Sequence, residues 1–374
     1  MANSSSNINP LSQSLETPLA QSDTLALLQS LLALPKQPTT LDPYRRYYME
    51  QLNLVAHHNP GTTLTTHQDL LTVATLLRQH LSRSDLLTEL AKPTTNSPPQ
   101  HGTGTTQQGT SQPHIPTTNP PKQGTPQQEN TLHLTARLLT MLRIGEIPHE
   151  ILGGRHLSWT HGTLRDFIQS YFQPKPILGH ELIRFEKTFN ALSLVRIANK
   201  EIEWTSNLTD HLRLVNDDQT IRVFHHAAFL TSQGSQNSQD DLFPDGFIRE
   251  TLMTLALLFP KYDGPVRTWY RAQAARHGLD YEAVEVGHLV TDDRQVEKFL
   301  YWRDRLVVLK QAYDEARPLT IGQWWHDRRN GVQWYTFWVA LWVLFLTIFF
   351  GLVQSIEGAM QVYAAFHLGD GDVP

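Results

Sequence analysis

The chain carries 18 histidines, and its densest group of polar side chains joins Trp204, Asn207, Asp210 and His211 to the pair His225–His226. Imidazole and carboxylate groups move protons or ligate a metal only when they converge. A general base needs hydrogen-bond reach, and a zinc ion needs three or four donors around it. Position along the chain leaves that convergence open. The competing reading is structural: Thr205 or Ser206 caps a short helix at Asn207-Leu208-Thr209-Asp210-His211-Leu212, one histidine of the pair is packed and the other is exposed. No other segment offers chemistry. His149-Glu150 and His180-Glu181 lack the second histidine one helical turn on that a zinc pair needs. Phosphate loops of the form GxxxxGK[ST], HExxH pairs, GxSxG elbows and GxGxxG turns are absent. The chain has no cysteine, which removes disulfides, thiolate ligands and cysteine nucleophiles. The expectation is therefore no catalytic residue, no metal site and no cofactor.

The segment holding the polar group, about residues 130 to 290, mixes two periodicities. Leu132 to Leu142, Thr163 to Phe172 and His180 to Leu192 have helical spacing. Alternation follows in Leu194 to Trp204 and in His211 to His226, where Asn216-Asp217-Asp218 suits a hairpin turn. Helices resume over Pro244 to Phe259 and Val266 to His277, the latter stopped by Gly278. This predicts an α+β module. Its helix, helix, hairpin order is that of a winged helix in outline, which would suggest nucleic acid. Charge opposes that partner, because Leu178 to Ala228 holds six Lys or Arg against seven acids and the whole chain has a net charge of −5.

Upstream, residues 20 to 91 have the spacing of a small helical bundle. Leu25, Leu28, Leu31 and Leu32 form one apolar face, and Leu70, Leu71, Ala74, Leu77 and Leu81 form another. The run Tyr44 to Tyr48 reads as aromatic and Arg side chains covering a helix seam, with stacking on bases or binding of acidic groups as the alternative. Between the two modules, residues 92 to 129 are dominated by Pro, Thr, Gln, Gly and Ser and bury too little apolar surface to offset ordering, so a disordered linker is expected. Residues 1 to 19 are expected to be disordered as well. Downstream, Asp292 to Arg317 carries an apolar stripe of Val296, Phe299, Leu300, Leu306, Val307 and Tyr313, and a stalk helix is expected there, ending at Pro318.

The strongest signal lies near the C-terminus. No charged residue occurs between Arg329 and Glu357, and a helix of about 20 such residues crosses the roughly 30 Å hydrocarbon layer. A single transmembrane helix over residues 331 to 356 is expected, with a short tail after it. Trp324, Trp325, Trp334, Tyr335 and Trp338 crowd one end as an interfacial belt. Arg328 and Arg329 flank that same end, while Glu357, Asp370 and Asp372 lie on the other. The positive-inside bias therefore places the N-terminal bulk in the cytosol. The N-terminal residues have neither the basic start nor the apolar core of a signal peptide, so insertion after synthesis, as for a tail-anchored protein, is expected. The endoplasmic reticulum or a later secretory membrane is favoured as the destination. Gly351, Ser355 and Ala359 lie four apart and would allow close helix packing.

The phrases ENTLHLTARLLTML, IEWTSNLTDHLRL, FHHAAFL, LFPDGFIRETLMTLALLFP and WWHDRRNGVQWYTFWVALWVLFLTIFFGLVQSIEGAMQVY, between Glu129 and Phe366, resemble those of a large group of filamentous-fungal proteins without known activity. That resemblance implies a C-terminal membrane helix and this module order, and it carries no functional residue. The fold class expected is mostly α with a smaller α+β module. Two functions fit. One is a membrane-anchored interaction or scaffold protein, whose partners are the lipid bilayer, other proteins or further copies of itself. The alternative is a subunit of an oligomeric channel or transporter, since a stalk before a membrane helix resembles the layout of CorA-type magnesium transporters. The Gly-Met-Asn signature of that family is missing, as Gly351 is followed by Leu352 and Val353. A transporter also carries polar groups within the membrane, where this chain has little beyond Thr336 and Thr347.

Overall fold

A computed structural model describes residues 10–15, 19–32, 41–56, 61–92, 124–146, 156–174, 177–179, 182–234, 241–316 and 331–368. The fold is mostly helical, with one small mixed sheet. The first four helices are α1 (Gln21–Leu32), α2 (Asp42–Ala56), α3 (His67–Arg78) and α4 (Arg83–Leu90). Local chemistry fixes where α3 starts: the Asp69 N–H donates to Thr66 Oγ1, while the Asp69 carboxylate accepts from the Thr66 N–H at 2.8 Å. This reciprocal cap satisfies two of the amides that a helix start leaves open. Leucines at helical spacing then close the bundle, with Leu27, Leu28, Leu31, Leu70, Val73 and Leu77 all buried.

These helices share a core with the rest of the body. Helix α5 (Pro126–Thr140) begins at the capping residue Thr125 and packs across α2 and α3. The expected linker therefore gives way to helix by Pro126, and residues 93–123 lie outside the described residues. Tyr44, Tyr47 and Tyr48 are buried along this seam. The Tyr44 hydroxyl donates to the Leu138 carbonyl, and the Tyr47 hydroxyl donates to the Arg137 carbonyl at 3.2 Å. Tyr44 also stacks on Phe229 with ring centroids 5.7 Å apart. Offset stacking and a satisfied hydroxyl are what a buried tyrosine needs, and they leave no ring of this run free for a base.

Next come α6 (Leu164–Tyr171) and α7 (Ala191–Arg196), followed by a sheet of β1 (Glu201–Thr205), β2 (Arg213–Val215) and β3 (Thr220–Phe224). The order is β1-β3-β2, with β1 parallel and β2 antiparallel to the central β3. The β2–β3 hairpin turns through Asn216, Asp217 and Asp218, all left-handed with φ of 55°, 50° and 61°. Asn and Asp tolerate that region because their short side chains bond locally, which is why the turn falls where expected. Strand β3 leads through His225–His226 into α8 (Ala227–Gly234), and α9 (Phe247–Leu258) and α10 (Gly264–His277) complete the layer over the sheet. Helix α10 stops at Gly278, left-handed with φ of 65°.

Two expected helices are not formed as read. Residues 182–190 are irregular: Leu182 is left-handed, the Phe185 N–H donates to Arg294 O at 2.8 Å, and the Val296 N–H donates to Ile183 O at 2.9 Å. The backbone there pairs across to another segment, so helix begins only at Ala191, in the six-residue α7. The stalk is the other correction. Residues 291–298 form two short 3₁₀ turns, and only α11 (Arg303–Glu315) is α-helical. Glu250 explains the interruption, because its carboxylate accepts the backbone N–H groups of Leu300, Tyr301 and Trp302, each at 2.8 Å. Trp302, Leu306, Leu309 and Tyr313 are buried, so α11 belongs to the body and does not project from it.

The last helix, α12 (Gly331–Leu368), is long and apolar enough to cross a membrane: its most apolar 18 residues have a mean hydropathy of 2.3, and none of that stretch is buried.

Candidate functional site

The six polar residues singled out in the sequence fall into two groups on either side of β3. The first surrounds His211. The Phe224 N–H donates to its Nδ1 at 3.2 Å, which places the ring proton on Nε2, and that N–H donates to Thr254 Oγ1 at 2.6 Å. The Thr254 hydroxyl donates onward to the Thr251 carbonyl at 2.6 Å, and Trp302 Nε1 donates to Thr251 Oγ1 at 2.9 Å. The Trp302 ring packs edge-on against the imidazole with centroids 5.0 Å apart. Burial, then the nearby Arg305 charge, pull the His211 pKa down to about 3. Both nitrogens are used and the ring is fully buried. His211 is a fixed neutral strut between β3 and α9.

Asn207 and Asp210 belong to the same group. Asn207 Oδ1 accepts the Thr209 N–H at 3.3 Å and caps the 3₁₀ turn Leu208–Asp210. The cap is thus Asn207, where the sequence suggested Thr205 or Ser206. A side-chain carbonyl two residues from the amide it receives makes the tighter turn. Buried Asp210 accepts from Asn207 Nδ2 at 3.0 Å and from Arg213 Nη1 at 3.2 Å, and lies 3.6 Å from Arg222 Nη1. Arg305 closes the turn by donating to the Thr209 carbonyl at 2.7 Å and also to the His211 carbonyl. Asp210 is thus paired with arginine and Arg305 is hydrogen-bonded to carbonyls, which offsets the cost of burying these charges.

The second group opens on a cleft of about 420 Å³ between α2 and the sheet. It holds Trp204, Ser206, His225 and His226 from the ends of β1 and β3, Arg46, Tyr47 and Glu50 from α2, Glu203, and His277 and Gly278 from the end of α10. His211 does not line it. Carboxyl ends of adjacent parallel strands are a common place for a ligand crevice. Both histidines of the pair are buried, His225 at 8% exposure and His226 at 2%, which corrects the expectation of one exposed ring. They stack with centroids 4.0 Å apart. The Asp280 N–H donates to His225 Nδ1 at 3.4 Å, which leaves the ring proton on Nε2. That Nε2–H has no protein acceptor among the described residues and is not sealed from solvent, so it faces the cleft that the ring lines. His226 Nε2 pairs with Ser206 Oγ at 2.9 Å, and its Nδ1 is buried without a partner among the described residues.

Electrostatics define what the pair can do. Burial, then Arg46, lower the His225 pKa to about 3; burial, then His225 and Arg46, hold His226 well below the usual imidazole range. An imidazole so weakly basic serves poorly as a proton acceptor at neutral pH, but it offers fixed hydrogen-bonding groups. Behind it, burial pushes Asp280 up to about 6, while its carboxylate accepts the Ala228 N–H at 2.7 Å and so caps α8. Among the described residues, no group of three or more His, Asp or Glu side chains is placed to hold a metal.

Sequence reasoning considered Arg46 only within the Tyr44–Tyr48 run, as the less favoured binder of acidic groups, and missed Glu50 and His277, as well as the Thr254–Trp302 support of His211. One available signal was the phase of α2: Tyr44, Tyr47 and Tyr48 share one face, so Arg46 and Glu50, four apart, share another. Of the residues assigned to the membrane, Trp334 and Tyr335 lie at the start of α12 with ring centroids 5.1 Å apart. Trp324, Trp325, Arg328 and Arg329 lie outside the described residues. Gly351, Ser355 and Ala359 follow one row of α12, where the Ser355 hydroxyl donates to the Gly351 carbonyl at 2.8 Å. No family model, no curated protein and no solved structure matches this chain.

Proposed function

We propose that the chain is a single-pass membrane protein that anchors a cytosolic binding body to the bilayer, where it recruits or scaffolds other molecules. The observation that carries this reading is α12, whose apolar stretch Trp334–Phe366 has no part buried against the body. Exposed Trp342, Leu344, Phe345, Ile348, Phe349, Phe350 and Leu352 form a continuous surface far larger than the apolar patches a soluble monomer tolerates. About 20 residues from Trp334 cover the roughly 30 Å hydrocarbon layer, and the rest of the helix extends beyond it. The hydroxyls of Thr336 and Thr347 donate to the Val332 and Val343 carbonyls, each at 2.8 Å, so neither is left unsatisfied in lipid. Trp334, Tyr335 and Trp338 suit the headgroup layer at one end.

Binding is preferred to catalysis because both buried histidine sites hold weakly basic, neutral rings. The channel or transporter alternative has less support, since it would need several copies to line a path and α12 offers few polar groups for one. In orientation, this reading places the flank of Arg328 and Arg329 with the body on the cytosolic side, and an endoplasmic reticulum or secretory membrane as the site.

Carbonate extraction tests the anchor. The full chain should stay in the membrane pellet, and a chain ending at Asn330 should move to the supernatant while remaining folded. Carbonate-resistant pelleting of the shortened chain would place the anchor elsewhere. Orientation is read by glycosylation: Asn207-Leu208-Thr209 should remain unmodified, and an acceptor sequence added after Pro374 should be modified. Sugar on Asn207 with a bare tail would reverse the topology.

A further inference from the structure

Arg46 and Glu50 stand one turn apart on α2, the spacing at which opposite charges normally pair. Among the described residues no ion pair joins them. Arg46 is held through Nη1 by the His277 and Gly278 carbonyls, at 3.2 Å and 3.3 Å. This close approach requires Gly278: a Cβ there would lie 1.8 Å from Arg46 Nη1. Fixed in this way, the guanidinium keeps further N–H groups without a protein acceptor among the described residues, beside the His225 Nε2–H that faces the same cleft. The cleft is thus lined by the donors of Arg46 and His225 and by the Glu50 carboxylate, which is not paired with Arg46, and Tyr47 and Trp204 add aromatic wall.

We propose that this cleft binds a small zwitterion of the amino-acid or dipeptide class, with its carboxylate on Arg46 and the His225 Nε2–H and its ammonium on Glu50. A phosphate or dicarboxylate fits worse, because Glu50 and Glu203 line the cleft and would repel a second negative charge. A simple organic cation would meet Arg46. A metal ion would find no converging ligand set among the described residues. The volume of about 420 Å³ accommodates a dipeptide together with ordered water. A planar guanidinium receives a carboxylate through two parallel bonds, so most of the affinity should depend on Arg46.

Calorimetric titration of the full chain in detergent micelles, with free L-amino acids and glycyl dipeptides as probes, tests the proposal. At least one zwitterion should bind in the micromolar to millimolar range. Its N-acetylated and decarboxylated forms, which each lack one charge, should bind about tenfold more weakly or worse. Arg46→Gln and Glu50→Gln should each weaken binding by about tenfold or more, since each removes one partner of a charge-assisted bond, while the unfolding temperature stays near that of the parent. Absence of binding by every zwitterion, equal binding of the singly charged forms, or undiminished binding by both variants would each overturn it. None of these readouts involves the bilayer, so they stand apart from the test of the anchor.

Discussion

His211 and His225 flank the same small sheet, are both neutral, and are both pulled to a pKa of about 3 by burial, yet they are used in opposite ways. Around His211 every polar atom of the ring is spoken for, first by Phe224 and Thr254 and then by a second layer of Thr251 and Trp302. Around His225 one nitrogen is fixed by Asp280 and the other is left facing a cleft. A complete network holds two elements together and has nothing left to offer a ligand. An incomplete one, kept rigid by its satisfied half, presents a donor at a defined position. Polar residues close in sequence can thus divide between support and recognition according to which bonds they have left unmade.

The largest effect should come from removing the complete network. His211→Ala opens a cavity between β3 and α9 and strands the Phe224 N–H, a combination that costs about 3–5 kcal/mol. Thermal unfolding followed by circular dichroism should show a fall of roughly 10 °C, given about 2–4 °C per kcal/mol for a body of this size. If the variant unfolds within a degree or two of the parent, His211 is not a strut and the contrast with His225 fails.

The sequence displayed the ends of this arrangement better than its middle. The hairpin turn at Asn216-Asp217-Asp218, the stop at Gly278 and the apolar span of α12 each rest on neighbouring residues whose preferences are local, so a linear reading finds them. The union of His211 with Thr254 and Trp302, or of His225 with Asp280, depends on segments far apart in the chain, and periodicity does not reveal which helix lands on which strand. The stalk failed for the same reason. Its residues have helical spacing, but Glu250 takes the amides of Leu300, Tyr301 and Trp302, and tertiary contacts override propensity there. The seam of Tyr44, Tyr47 and Tyr48 was legible because three tyrosines on one helical face demand a buried partner. That Arg46 would line a cleft was not, since its partners are carbonyls at the end of α10.

Acid should act on both histidine sites at once. His211 and His225 have folded pKa values of about 3 and His226 is held well below normal, so the unfolded chain takes up protons first as the pH falls. Depressed values mean that stability is complete above the unfolded imidazole pKa of about 6.5 and declines as the pH drops toward 3. Asp280 works the other way. Its value is raised to about 6, so the folded state gains relative to the unfolded one as pH falls through that point and offsets part of the loss. His133, lowered to about 4 by burial, adds to the loss, and between pH 7 and pH 5.5 the net loss should be about 4 kcal/mol, from roughly 1.4 kcal/mol per proton per pH unit. Urea titrations at the two pH values measure it, and equal midpoints would show that these rings do not stay neutral in the folded protein.

The sharpest version of the comparison makes the same lesion at each site, on His211 in one and on His226, the stacked neighbour of His225, in the other. Thr254→Val keeps the shape of the side chain but removes the acceptor of the His211 Nε2–H, in a place with no solvent exposure. A buried donor left unmade costs about 1–3 kcal/mol, and the upper half of that range is expected here because no water can enter. Ser206→Ala removes the partner of His226 Nε2 at the edge of the cleft, where Ser206 itself is only partly buried. Water from the cleft can take the place of the hydroxyl, so the expected loss is about 0.5 kcal/mol, the lower end for a hydrogen bond exchanged with solvent. Denaturant midpoints of the two variants under identical conditions give the difference directly. Equal costs would mean that the cleft is as dry as the core, and His225 would then have no more access to a ligand than His211.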